Sequence, residues 1–310
     1  MSHRSALTES PSVEVQDHHL GRSTLLSDYW ILTKPEVNFL ILITTVVGFY
    51  MASAKDGRPF SFAGLFNTLL GTLLVASGTG ALNQYLERTF DAQMRRTARR
   101  PAAAGRLAPS AVLTFGTALA VMGNIYLSAA VNLLASALAT LTLLTYLFVY
   151  TPLKRKTPLC VLVGAFPGAM PPLIGWAAAS GRLNLEAGIL YAMLFLWQFP
   201  HFMAIAWMYR EDYDRAGYLM VPKRRARLFC VLLQTILPLF GLILLSLMQL
   251  SSRHAIVSSC TEILLGLGLL YFGLEFAFQQ SRTAARRLLA ASIAYLPLLF
   301  VLRATLRSAT

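Results

Sequence analysis

Asn83, Glu87 and Asp91 stand four residues apart. On a helix that spacing moves each side chain about 6 Å along the axis and drifts the stripe by only ~40°. Three oxygen-bearing side chains therefore share one face. Hard divalent ions take oxygen ligands, and Mg²⁺ commonly uses one or two carboxylates while substrate phosphates complete its octahedron. Arg95, Arg96, Arg99 and Arg100 follow at once, and a guanidinium fork matches phosphate oxygens. The chemistry such a set supports is metal-assisted handling of a diphosphate. The plainer alternative is a solvated helix end in which Glu87 and Asp91 pair with Arg88 and Arg95. Acids are scarce in this chain, and two of only fourteen fall on this stripe, which favours the site.

A second run, Arg210-Glu211-Asp212-Tyr213-Asp214-Arg215, places three carboxylates within four residues. It supplies a second half-site for bridging metal ions, with Asp212 and Asp214 as ligands and Arg210 as a substrate contact, or else it is a turn stopped by Gly217. A third run, Tyr150-Thr151-Pro152-Leu153-Lys154-Arg155-Lys156, ends a helix at its proline. Tyr150, Lys154 and Arg155 then contact a diphosphate, or Lys154 merely snorkels to headgroups.

The elements that position these runs are transmembrane helices. The chain is 56% apolar, only 13% charged, and has a mean hydropathy of +0.57, whereas a soluble domain carries roughly 25% charge. Apolar stretches long enough to cross ~30 Å of hydrocarbon fall at about 37–54, 62–82, 110–126, 128–150, 160–179, 187–209, 228–250, 256–278 and 288–306. The third and fourth are divided only by Asn124 and the Ser128–Asn132 region. No period-two alternation of the kind found in a membrane barrel occurs. The expectation is an all-α, polytopic bundle of about nine transmembrane helices over residues 31–310, preceded by a disordered cytosolic tail at 1–30. The tail has no apolar signal region, and Glu9, Glu14 and Asp17 argue against a transit peptide.

The net charge of +13 follows from topology. With the N-terminus inside, 21 of the 27 basic residues fall on inner segments, as the positive-inside rule requires for an odd number of spans. A bacterial inner (cytoplasmic) membrane protein is expected, and the charge calls for no nucleic-acid partner. All three motif runs then lie on the cytosolic face above an apolar interior, an arrangement suited to a lipid-tailed diphosphate. Cys160, Cys230 and Cys260 lie in apolar stretches with no metal spacing and read as small hydrophobes.

The stripe Asn83–Glu87–Asp91 resembles the Asn-x-x-x-Asp-x-x-x-Asp motif of the UbiA superfamily of intramembrane prenyltransferases, and Tyr150-x-x-x-Lys154 is similar to its Tyr-x-x-x-Lys element. More narrowly, several runs resemble the branch that farnesylates heme. These are Asp91 through Met94, Arg96-Thr97, Arg99-Arg100-Pro101 and Gly105; Tyr150 to Arg155; Gly168 to Trp176; and Pro200-His201-Phe202 with Asp212-Tyr213 and Ala216-Gly217. The likeness spans roughly residues 28–306. Glu87 departs from the usual Asp, and Ala216 stands where a second Asp-x-x-x-Asp would close.

The resemblance implies a UbiA-like bundle, Mg²⁺, and farnesyl diphosphate and heme b as substrates. Asn83, Glu87, Asp91, Lys154 and Asp212 would be catalytic, and Arg95, Arg96, Arg99, Tyr150, Arg155, Arg210 and His201 would bind substrate. A heme A synthase or terminal oxidase would lie downstream. His201 is the one histidine inside an expected span; it ligates heme iron or hydrogen-bonds a neighbouring helix. Tyr146, Phe148, Tyr150 and Trp197 face an allylic cation or form an interfacial belt. Competing readings are a prenyltransferase with an aromatic or quinone acceptor, and a transporter whose fifth span is broken by Pro167, Pro171 and Pro172. Transporters place polar groups near the bilayer midplane, whereas here the acids gather at one surface.

Overall fold

The computed structural model describes residues 24–53, 60–220, 227–248 and 253–307, with side chains described except at 227, 253–258 and 304–307. Residues 1–23 of the expected tail therefore lie outside the description, as do the loop charges Lys55, Arg58, Lys223, Arg224 and Arg225. The tail boundary at residue 30 is corrected, because Leu25–Leu32 form a helix, α1. Thr24 caps it by accepting from the Ser27 N–H.

Among the described residues nine further helices are long and apolar enough to cross a membrane: α2 (Pro35–Ser53), α3 (Phe62–Asp91), α4 (Pro109–Ala130), α5 (Leu133–Leu153), α6 (Cys160–Ser180), α7 (Leu185–Met208), α9 (Leu228–Leu247), α10 (Arg253–Gln279) and α11 (Arg282–Arg307). A short α8 (Arg210–Arg215) follows α7. The uncertain boundary between the third and fourth spans falls at Val131–Asn132. Asn132 fixes it by capping α5 through the Ala135 N–H (2.9 Å) while its amide donates to the Ala177 carbonyl of α6 (2.9 Å). The second span runs to Asp91, nine residues past the end expected from hydropathy, so the polar stripe is a direct continuation of the membrane helix.

Close packing without a water-driven apolar effect needs small contact residues. At Gly48 an added Cβ would meet the Pro172 carbonyl oxygen at 2.0 Å, and at Gly175 it would meet the Thr45 carbonyl oxygen at 2.0 Å. Backbone thus touches backbone between α2 and α6. This makes α6 the central helix, with most of it buried, while α5 turns most of its surface outward. Phe39, Phe148, Phe240 and Tyr271 are exposed on outer faces, as a lipid-solvated bundle allows.

Two irregularities have local causes. Proline cannot donate to the helix ladder, and a π-helical turn lies just ahead of each of Pro152 and Pro238, at Thr145–Tyr150 and Leu232–Ile236. In α6 the prolines interrupt the helix at Ala169 (φ −92°, ψ −2°), between Pro167 and Pro171, although its N–H still bonds the Ala165 carbonyl (3.1 Å) and the helix resumes at Met170. Glu262 and Glu275, for which the sequence offered no partner, join α10 to α11. Arg303 holds Glu262 at 2.9 Å in the buried interior, and Arg287 holds Glu275 at 2.6 Å nearer the helix ends.

Candidate active site

Asn83, Glu87 and Asp91 are all buried on one stripe at the end of α3. A buried carboxylate needs a cation and hydrogen bonds to offset its desolvation, and distant segments supply them. Lys154, just beyond α5, donates to both oxygens of Glu87 (2.9 and 3.0 Å). Tyr218, beyond α8, donates to Glu87 Oε1 (2.9 Å), and Asn83 donates its amide to Oε2 (2.9 Å). Lys34, in the turn between α1 and α2, donates to Asn83 Oδ1 (2.8 Å). Arg100 bonds Asp91 at 2.8 Å.

Local structure explains the delivery of each group. The π-turn of α5 sends the Thr151 hydroxyl back to the Tyr146 carbonyl (2.9 Å) and sets Lys154 against the rings of Tyr150 (4.7 Å) and Tyr146 (5.9 Å). Lys34 occupies a left-handed conformation (φ 53°) that turns the chain between two helices. Gly217 (φ 68°) does the same after α8 and sends Tyr218 inward.

Burial alone would lower the Lys154 ammonium, but Glu87 and the two phenols beside it outweigh this and hold it well above the ordinary lysine range. Lys34 lacks such a partner. Burial, with Arg100 and Lys154 close by, lowers it to about 7. Burial and the Glu87 charge raise Tyr218, so its hydroxyl remains a donor. Near the stripe, Lys154 and Arg100 balance Glu87 and Asp91, and Lys34 adds a further positive charge when protonated. With Lys34 protonated, the end of α3 therefore carries a surplus of cations.

The second acidic run meets the first through Asp212 alone. Asp212 is buried, ion-paired to Arg215, and accepts the Arg96 backbone N–H (3.3 Å). Asp214 and Glu211 are exposed on α8, and neither side chain bonds to the stripe. Arg95 and Arg99 project from the loop after α3, Arg96 covers the Tyr209 ring (5.1 Å), and Arg155 covers Phe90 (4.1 Å). Arg210 lies over Trp207 (5.2 Å).

His201 bonds the Ser292 hydroxyl of α11 through Nδ1 (2.9 Å) and stacks on Trp197 (4.6 Å between ring centres). Trp197 in turn donates to the Ser292 carbonyl (2.8 Å). Phe148 is exposed, as a belt residue would be. Sequence reasoning passed over Lys34, Tyr218 and the pair of buried Asp28 with exposed Arg106 (2.8 Å), which ties α1 to the loop before α4. For Lys34 a signal was present, a basic residue directly before a proline at a span entrance; for Tyr218 there was none.

The oxygen donors fit a hard cation. Asn83, Glu87, Asp91 and Asp212 offer only oxygen, and each carboxylate is neutralised by a Lys or Arg whose charge a divalent ion can replace. Among the described residues no three acidic or imidazole groups stand close enough to hold a metal alone, so an ion held here would need oxygens from outside these side chains.

Buried acids and surplus cations at one end of an apolar bundle define an intramembrane enzyme acting on an anionic head with an apolar tail. The chain belongs to the UbiA prenyltransferase family, which matches residues 41–299. It is 43% identical to the protoheme IX farnesyltransferase of Solibacter usitatus (strain Ellin6076), covering 89% of this chain and 97% of that one. It is 41% identical to the protein of that name from Koribacter versatilis (strain Ellin345), covering 90% and 93%. The fold is similar to a digeranylgeranylglyceryl phosphate synthase structure (TM-score 0.72, 14% identity, 92% of this chain and 99% of that one). It is also similar to a UbiA homologue from Archaeoglobus fulgidus bound to GPP and Mg²⁺ (TM-score 0.62, 14% identity, 87% and 100%).

Proposed function

We propose that this chain transfers a farnesyl group from farnesyl diphosphate to a vinyl group of heme b, giving heme O. The observation that carries the reading is the meeting of Lys34, Lys154, Arg100 and Tyr218, from four chain segments, on the buried stripe of α3. Diphosphate leaves well only when its growing charge is neutralised by fixed groups in a dry site. Lys154, Arg100 and Lys34 provide that charge, and Arg96, Arg99 and Arg155 extend it along the entrance. Asn83, Glu87, Asp91 and Asp212 would hold Mg²⁺, whose charge favours departure of the diphosphate. Asp214 stands outside this set.

The allylic C–O bond breaks and its electron pair leaves with the diphosphate. The vinyl π pair then bonds to the allylic carbon. Water captures the cation left beside the porphyrin ring and gives up a proton, completing the hydroxyethylfarnesyl group. Tyr146 and Tyr150 already turn their ring faces to one cation, Lys154, and such faces contribute ~0.5–2 kcal/mol toward a carbocation. The apolar bundle keeps bulk water from that cation until the vinyl arrives. His201 positions the porphyrin. The chain sits in the bacterial inner membrane with its N-terminus and site cytosolic, and its product goes on to terminal oxidase assembly, through a heme A synthase where one is present.

The test is diphosphate release by purified protein in liposomes, with heme b and Mg²⁺, alongside mass analysis of the porphyrin. Release that needs heme b and yields farnesylated porphyrin is expected. Release with an aromatic acceptor in place of heme b would overturn the acceptor, and no release under either condition would overturn the reaction.

A further inference from the structure

Glu87 is a longer arm than the aspartate it stands in for, and a longer arm has one more torsion to fix. Lys154 touches both of its oxygens, but that ammonium is also the group closest to hand for a diphosphate. When Lys154 turns to substrate, Glu87 keeps two neutral donors: Asn83 on Oε2, four residues back on its own helix, and Tyr218 on Oε1, 131 residues away.

Tyr218 is itself held firmly. Its backbone N–H bonds the Tyr213 carbonyl (2.8 Å), and the next residue, Leu219, donates to the carbonyl of Lys154 (2.8 Å). Its ring is buried between Phe90 (6.2 Å) and Tyr213 (6.0 Å). The turn at Gly217 thus ties one short segment to both members of the Glu87–Lys154 pair, while Asp212 of the same segment reaches the Arg96 N–H.

We infer that Tyr218 is a positioning residue that fixes the Glu87 carboxylate for metal while Lys154 is engaged by diphosphate. This rests on the farnesyl-transfer reading above. The hydroxyl acts through Glu87 and touches neither substrate nor reacting carbon. Its worth therefore depends on the length of the residue at 87: an aspartate there ends one methylene short of the Tyr218 hydroxyl.

The experiment is a double-mutant cycle of Tyr218→Phe and Glu87→Asp in the full chain. Mn²⁺ binding is read by electron paramagnetic resonance with the unreactive thio analogue of farnesyl diphosphate, and turnover is read separately. Tyr218→Phe keeps the buried ring, so the variant should still fold and unfold cooperatively in detergent, with its midpoint lowered by the one lost bond. Losing one hydrogen bond to a charged group should weaken Mn²⁺ binding on the order of tenfold and lower kcat, with KM for heme b unchanged. In the Glu87→Asp background the same change should alter Mn²⁺ binding by less than about twofold, since coupled sites are non-additive. An equal loss in both backgrounds, or none in either, would overturn the inference while leaving the reaction standing. A natural chain that binds no Mn²⁺ with the analogue would overturn the reading beneath it as well.

Discussion

Removing either partner of the Glu87–Lys154 pair should destabilise the protein, and by unequal amounts. Breaking a buried ion pair by removing one member costs about 3–5 kcal/mol, because the survivor is left buried and uncompensated. The survivors here differ. In Lys154→Met the carboxylate keeps the Tyr218 hydroxyl and the Asn83 amide, with Lys34 close enough to influence it. Two retained hydrogen bonds to a charged group offset about 1.5–3 kcal/mol each before desolvation is counted, so the loss should fall to about 2 kcal/mol or less. In Glu87→Met the Lys154 ammonium stays within the field of Lys34, with the faces of Tyr150 and Tyr146 beside it and no side-chain oxygen at 87. That loss should lie at the full ~3–5 kcal/mol. Titrating each variant with SDS in mixed bicelles, and following helical signal, gives the two midpoints. Equal losses, or a larger loss for Lys154→Met, would refute the charge accounting. Losses below ~0.5 kcal/mol in both would place the pair in water, as a surface bridge.

Asp91→Asn should abolish turnover while the protein still purifies folded, since an amide oxygen cannot supply the charge that holds Mg²⁺ to diphosphate; full activity would return the stripe to a helix end. His201→Ala should shift or remove the absorption band of bound heme while diphosphate binding persists, and an unchanged spectrum would leave His201 as a bond to Ser292 alone. Reporters fused after Arg106, Arg182 and Arg253 should read as cytosolic only at the first; an external signal there would separate the motif loops. Gly175→Ala should yield little folded protein, because its Cβ would lie 2.0 Å from the Thr45 carbonyl oxygen, whereas Gly188→Ala, with open space around it, should be tolerated and add up to ~1 kcal/mol through helix propensity. Comparable yields of the two would refute the α2–α6 contact.

Much of the bundle was legible because membrane helices announce themselves by length and lack of charge. All nine spans appear, with shifted ends. Hydropathy stopped the second span at residue 82, but the backbone has no reason to unwind there: Asn83 to Asp91 are compatible with helix, and lipid need not contact them. The same blindness hid α1, whose eight residues are too few for a span. At the site, spacing revealed Asn83, Glu87 and Asp91 because they share one helix. Tyr218 was invisible because its relation to that stripe runs through the left-handed turn at Gly217, and turn geometry has no periodicity to read; Lys34 gave only the hint of a basic residue directly before a proline. Asp212 and Asp214 both read as metal ligands in sequence; only the direction of α8 separates the buried one from the exposed one.

The partners of Glu87 also set an order of events during synthesis. Lys154 lies 67 residues downstream and Tyr218 lies 131. At roughly 5–20 residues per second, the helix bearing Glu87 waits about 3–13 s for its first counter-charge and about 7–26 s for its phenol. Until Lys154 arrives, Glu87 has only Asn83 on its own helix and the more distant Lys34 to support its charge. A ribosome stalled between Lys154 and Tyr218 would therefore hold a protein with its ammonium docked and its carboxylate still unsecured.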